Sequence, residues 1–185
     1  MSEPFRTRSF LPVPAAERQI RRRRAARVVV LHDDAVLLLA DTDPGLPGTR
    51  WWVTPGGGID PGESALEAAV RELGEELGVQ VATDQLLGPV AVREVVHGYS
   101  DQILCQHEQF FVFRSQERFT PSQEGLTADE QVTLAGWAWL RIDTLHAETD
   151  PVWPQNLATV AGLADRPEQW PIELGEMEES TVPVE

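Results

Sequence analysis

Apolar and polar positions fall into two periods along the chain. Val28 to Leu31 is a β-branched apolar run, His32-Asp33-Asp34 reads as a turn, and Val36 to Ala40 is a second apolar run, so this stretch predicts a hairpin. Asp41 to Arg50 is rich in Gly, Pro and Asp and predicts a loop, followed by a short strand, Trp51 to Thr54, that runs into Pro55-Gly56-Gly57-Gly58. Residues 64–78 carry a helical period. Val90 to Val96, Glu108 to Arg114 and Trp137 to Arg141 predict further strands, and residues 115–131 a polar loop. Residues 155–164 predict a second helix, with Pro154 at its start and Pro167 beyond its end. Strands with helices between them predict an α/β domain with a mixed β-sheet flanked by helices, an α+β sandwich.

The first helix is the most informative element. Ser64 followed by Glu67 is a capping-box pattern and Gly78 fits the stop. Leu66, Ala69, Val70, Leu73 and Leu77 recur at steps of three and four and form one apolar stripe for packing on the sheet. Glu72, Glu75 and Glu76 share another face, and the small Ala65 and Ala68 leave space beside them. Like charges at this spacing repel by roughly 0.2–0.5 kcal/mol per pair on an exposed helix. Arg71 offsets part of that through Glu75 at i+4, and a divalent cation would offset more, because magnesium takes carboxylate oxygens. A solvated acidic face is the ordinary reading of two glutamates alone. The three glycines upstream, which let backbone approach a ligand, favour the metal reading.

Charge narrows the function classes. The formal net charge is −15, every Lys or Arg position is Arg, and the pI is near 4.6. A phosphate polymer is repelled by such a surface on average, so nucleic acid is not an expected partner, whereas a small phosphorylated substrate is acceptable where a divalent ion supplies local positive charge. No apolar run approaches a membrane span, so no membrane partner is expected. The N-terminus lacks the apolar core of a secretory signal, and Cys105 is the single cysteine; together these predict a cytoplasmic protein without disulfides. Residues 17–27 hold six arginines and residues 168–185 are acidic. Both ends predict peripheral segments: an Arg-rich extension over 1–24 and an acidic tail over 166–185, around a domain at 25–165.

Residues 57–79, GGIDPGESALEAAVRELGEELGV, resemble the Nudix box without a departure. Gly57, Glu63, Arg71, Glu72, Glu75, Glu76 and Gly78 stand at the box's spacing, with Leu73 and Val79 in its aliphatic places. The resemblance implies the Nudix fold and Mg2+ or Mn2+ as cofactor. It also implies hydrolysis of a diphosphate linkage in a nucleoside diphosphate joined to another moiety, or in a nucleoside triphosphate. It implies Glu72, Glu75 and Glu76 as metal ligands, joined by the carbonyl of Gly56, with Glu72 acting as or orienting a base. Arg71 and Glu63 would form the ion pair that ties loop to helix. Many members of the family are dimers, so a homodimer is expected.

Other signals are weaker. Many family members use an acid outside the box, and Glu117, Glu124, Asp129 and Glu130 are the candidates for it. Arg27, Arg50, Trp51 and Glu130 are the candidates for substrate contact, Trp51 because it stands at a loop edge where an aromatic face could stack on a base. Trp137 and Trp139 share a strand face and predict core packing. His97 and His107 could assist a leaving group, but no partner is visible for either. Arg21 to Arg24 read as a solvated arm more readily than as a polyanion contact. The alternative to catalysis is a non-catalytic nucleotide-binding module on the same scaffold. Such a module would be expected to lose box carboxylates, and this chain keeps them all.

Overall fold

The computed structural model describes residues 8–185, and the first residues of the expected Arg-rich extension, 1–7, lie outside them. The expected hairpin is present but longer. β1 spans Gln19–His32 and turns at Asp33 (φ 51°) into β2, Ala35–Thr42. β3 is Arg50–Val53 and β4 is Gly56–Gly58. α1, Ala65–Leu77, follows, then β5, Leu86–Gly98, and β6, Gln102–Arg114. α2 is Ala128–Thr133, β7 Leu134–Arg141, β8 Val152–Trp153, α3 Leu157–Gly162 and β9 Ile172–Glu178.

The strands form one mixed sheet in the order β8-β3-β2-β1-β6-β5-β9, with β4 also on β1 and β7 also on β2. β1 is the axis of this sheet. Along one edge it pairs parallel with β6 from Gln19 to Leu31. Its other edge divides, Ala25–Arg27 pairing with β4 and Val30–His32 with β2. That division opens the sheet where the glycine strand enters, and it sets the start of α1 beside the middle of β1.

Alternation along β1 and β6 separates two cores. Val28, Val30, Leu37, Leu39 and Phe111 meet Ala69, Leu73 and Leu77 of α1. Val29, Leu31, Val36, Leu38, Phe110 and Val112 meet Leu157, Val160 and Ala161 of α3 on the other face. Fully burying one such Leu contributes roughly 1.5–3 kcal/mol, so α1 is held by its apolar stripe rather than by intrinsic helicity. Trp137 and Trp139 pack on the α1 side, as their spacing predicts.

Three expectations about chain ends and loops give way. The boundary expected after Arg24 falls inside β1, because the backbone ladder to β6 is indifferent to side-chain charge and long Arg stems can lie along a sheet. The acidic tail expected over 166–185 supplies β9, parallel to β5, and then buries Glu179 at 1% exposure. Net charge is blind to this docking because the tail finds a buried countercharge, Arg93, whose Nη2 lies 2.8 Å from a Glu179 carboxylate oxygen. The loop expected over 115–131 ends in α2, capped by Thr127 with Glu130 at its third position, the same signature that marked Ser64 and Glu67. No helix among the described residues is long and apolar enough to cross a membrane.

Candidate active site

α1 begins and ends where its caps require. The Ser64 hydroxyl accepts from the Glu67 amide at 3.2 Å and the Glu67 carboxylate accepts from the Ser64 amide at 2.8 Å. Gly78 closes the helix in the left-handed region (φ 70°), and a Cβ there would stand 2.7 Å from Ser122.

Between these caps the helix turns two of its acids away from solvent. Glu72 and Glu76 are 4% and 7% exposed, and Ala65 and Ala68, expected to leave open space beside them, are buried in the core. One carboxylate oxygen each from Glu72, Glu76 and Glu130 lies within 4.8 Å of the others. Glu130 arrives from α2, more than fifty positions along the chain. Its other duty is to accept from the Thr127 amide at 2.7 Å. Burial raises the Glu72 acid against the pull of Arg71. Burial raises Glu76 well above the ordinary range, with repulsion from Glu72 and Glu130 adding to it. Such a group of hard oxygen donors, with Glu72 and Glu76 resisting ionisation, suits a divalent cation, which would favour the charged form of both.

The neighbouring loop holds these carboxylates in place. The Gly56 amide donates to Glu76 Oε2 at 2.7 Å. A Cβ on Gly57 would lie 2.5 Å from Glu72 Oε1, so only glycine lets that carboxylate settle against β4. Gly57→Ala is therefore expected to displace Glu72 while the apolar core stays packed. Activity and Mn2+ affinity should fall by about 10–100-fold with an unchanged urea midpoint. A variant that keeps wild-type Mn2+ affinity would remove the idea.

Arg71 is the knot of the site. It donates to Glu63 through Nε (2.9 Å) and Nη2 (3.0 Å), to the Gly58 carbonyl (2.9 Å), to Glu72 (2.8 Å) and to Glu75 (3.1 Å). The loop-to-helix tie expected of Arg71 and Glu63 is thus formed. Glu75 is turned to Arg71 and stands outside the carboxylate group, where Glu130 takes the third place. The Gly56 carbonyl accepts from Arg27 Nη1 at 2.8 Å, which occupies one of its two lone-pair directions.

The expected substrate contacts separate. Arg27 lies under the site: its Nε donates to Glu108 at 2.9 Å, and Glu108 also accepts from Arg93 at 2.7 Å. Trp51 is not at an open edge; it is 2% exposed, 4.8 Å from the Trp153 ring and 5.9 Å from Tyr99, so protein occupies its faces. The period of β3 puts Trp51 inside because β8 continues the sheet beyond it, a pairing that no local pattern announces. Arg50 lies over the Trp52 ring and beside Asp150 at 3.3 Å. Of the acids weighed outside the box, Glu117 and Glu124 are exposed and Asp129 accepts from the Arg8 amide, leaving Glu130 at the site. His107 is paired with Glu94 at the surface. His97 is buried, with Nδ1 2.6 Å from the Glu179 carbonyl, so it carries its proton on Nδ1; burial lowers its pKa to about 4. A cavity of about 690 Å³ lined by Asp143, His146, Leu157 and Trp153 includes none of the clustered carboxylates.

Comparison with known proteins gives the family and the fold. Residues 21–161 match the NUDIX domain family. This chain belongs to the Nudix hydrolase family. An RNA pyrophosphohydrolase of Rhodospirillum rubrum is 35% identical over 130 residues, covering 61% of this chain and 73% of the relative. An uncharacterised Nudix hydrolase of Bacillus subtilis, YvcI, is 40% identical over 65 residues, which is 35% of this chain and only 38% of that protein. The Escherichia coli dihydroneopterin triphosphate pyrophosphohydrolase shares the Nudix fold at a TM-score of 0.58 and 20% identity, covering 80% of this chain and 99% of that one. A mutator MutT protein of Bacillus halodurans gives 0.57 at 20% identity, covering 86% and 91%. The expected Nudix fold, with its mixed sheet and few helices, is the fold found.

Proposed function

We propose that this Nudix protein is a Mg2+- or Mn2+-dependent pyrophosphohydrolase acting on a nucleotide diphosphate linkage. The observation that carries the reading is the meeting of Glu72, Glu76 and Glu130 beside the glycine strand. A divalent cation held by these three would neutralise phosphate oxygens and make the phosphorus open to water. The chain's own residues supply the rest. Arg71 fixes the Glu72 carboxylate, the Gly56 amide fixes Glu76, and Glu130, the most accessible of the three, is placed to accept a proton from the attacking water.

The test is a screen with Mg2+ scored by product mass. It covers ADP-ribose, nucleotide sugars, dinucleoside polyphosphates, an oxidised nucleoside triphosphate and a 5′-triphosphorylated oligonucleotide. The last is included because relatives carry the name RNA pyrophosphohydrolase, although the chain's net charge of −15 opposes long polyanions. Glu130→Gln is the decisive variant. Gln serves a capping box as well as Glu does, so stability should hold while turnover falls by about 10²–10⁴-fold. Full turnover in this variant would reduce Glu130 to a helix cap.

A further inference from the structure

On the side of β1 that carries Arg27, the charges around Glu108 pair off, with Arg23 as an exception. Glu108 and Glu179 face Arg27 and Arg93: Arg27 donates to Glu108, and Arg93 donates to both carboxylates. Two cations and two anions close on each other there. Arg23, on the same face of β1, has no carboxylate partner among the described residues. Its Nε donates to Gln106 Oε1 at 2.6 Å. Gln106 is 1% exposed and spends its own amide on Glu108 at 3.1 Å, so its carbonyl is locked toward Arg23. The guanidinium is thereby aimed, and its two terminal nitrogens have no acceptor among the described residues.

Its position relative to the carboxylates is set by β4. A Cβ on Gly58 would stand 3.3 Å from Arg23 Nη1 and 3.4 Å from Cδ, so the side chain lies flat against the glycine backbone. The adjacent Gly57 meets Glu72 in the same way. Successive residues of a strand point to opposite sides. Consecutive glycines therefore set a carboxylate and a guanidinium on either side of one strand, with no side chain between either group and the backbone. Arg23 is exposed as a residue, while its guanidinium rests against β4 and Gln106. Desolvation and the neighbouring Arg27 cation together push it below its ordinary pKa, against smaller pulls from Glu72 and Glu108. A fixed, partly desolvated fork with free donors matches the oxygens of a phosphate.

We propose that Arg23 binds a phosphate group of the substrate, with its terminal nitrogens engaging oxygens that the Glu72–Glu76–Glu130 site does not hold. The ligand class is a diphosphate or longer chain, in which one phosphate lies at the carboxylates and the next reaches Arg23. This rests on the pyrophosphohydrolase reading for its choice of anion, though not for the site itself. It also divides the Arg run: alternation along β1 puts Arg23 on the side of Arg27, with Arg22 and Arg24 on the opposite side.

The experiment measures binding of methylenediphosphonate, a diphosphate whose P–C–P bridge cannot be hydrolysed, by calorimetry in Mg2+. Arg23→Met should weaken it by about tenfold or more. Arg23→Lys should recover part of the loss, since Lys offers a point charge without the fork. Mn2+ affinity read by electron paramagnetic resonance should be the same in all three proteins. For any substrate that passes the screen, Arg23→Met should act mainly through KM. Unchanged diphosphonate binding in Arg23→Met overturns the proposal, as does failure of the wild-type protein to bind it. Loss of Mn2+ affinity in step with diphosphonate binding also overturns it, because that marks a scaffold role. Arg23-dependent binding without hydrolysis of any diphosphate would leave this inference standing and end the hydrolase reading. Hydrolysis indifferent to Arg23→Met would do the reverse.

Discussion

Glu76→Gln is expected to lose about 10²–10⁴-fold in turnover while the metal-free protein becomes no less stable than wild type. Glu76 lies buried at 7% exposure. Burial, Glu72 and Glu130 all resist its ionisation, and only the Gly56 amide and Arg27 favour it. A carboxyl whose folded pKa is raised contributes stability below its unfolded value and loses it as pH rises through the folded value. At neutral pH the metal-free protein therefore carries a burden at this position that the neutral Gln lacks, and Gln can still accept from the Gly56 amide. Wild type should lose metal-free stability as pH rises above the usual carboxylate range, and Glu76→Gln should lose much less. Divalent metal reverses the comparison. A cation bound only by the folded state stabilises it by roughly 2.7 kcal/mol at a hundred times its Kd, and wild type should show such a shift in melting temperature with Mg2+ or Mn2+. A full metal-induced shift in Glu76→Gln would show that the buried carboxylates are not the metal site.

The second large effect is on the fold. Glu108 is 1% exposed and lies between Arg27 and Arg93, with Nε atoms at 2.9 and 2.7 Å. Burial alone would raise its acid, but the two cations outweigh that and hold it at about 2. Glu108→Gln removes the charge and keeps the shape. Arg93 retains Glu179, so the uncompensated cation is Arg27, whose Nη1 also supports the Gly56 carbonyl. Removing one partner of a buried pair destabilises by about 3–5 kcal/mol, a large part of the 5–15 kcal/mol typical of a folded domain. Urea unfolding at pH 7 measures it, and a loss below about 1 kcal/mol would mean that water screens Arg27 more than its burial implies. The sign with pH follows from the lowered acid. The contribution of Glu108 is present above the unfolded carboxylate pKa, near 4.5, and is lost as pH falls through about 2. His97 acts earlier. Its folded pKa of about 4 lies below the ordinary 6.5, so its contribution is complete above 6.5 and is lost as pH falls through 4. That is roughly 3 kcal/mol for a shift of this size; because the Glu76 trend runs the other way, the check is the difference from His97→Gln, and a variant whose pH 7 to 4 profile parallels wild type would contradict it.

Read from the sequence alone, the box residues were legible because every relation among them is local. Ser64 with Glu67, Gly78 as the stop, the stripe from Leu66 to Leu77 and the stacking of Glu72 on Glu76 all follow from 3.6 residues per turn. The tie of Arg71 to Glu63 is legible only through the resemblance, and Thr127 with Glu130 repeats the capping signature of Ser64 and Glu67 inside a stretch whose polarity otherwise predicts a loop. The hairpin of β1 and β2 and the packing of Trp137 and Trp139 on one shared face needed only alternation.

Tertiary structure alone decided the rest, because sheet register and charge neutralisation join segments far apart in the chain. Glu130, one of four acids weighed, reaches the cluster only because α2 docks beside α1. Trp51 turned inward because β8 and the Tyr99 segment cover it. Arg23 became distinct from its three Arg neighbours only when parallel pairing set it opposite Gln106 and β4 set Gly58 beneath it. The acidic tail became structure because Glu179 meets Arg93 inside the fold. Sequence determined the helix, its caps and two of the three clustered carboxylates through short-range geometry. The third carboxylate, the neutralised pairs and the placement of Arg23 against Gln106 and Gly58 depend on long-range strand pairing, which no local period encodes.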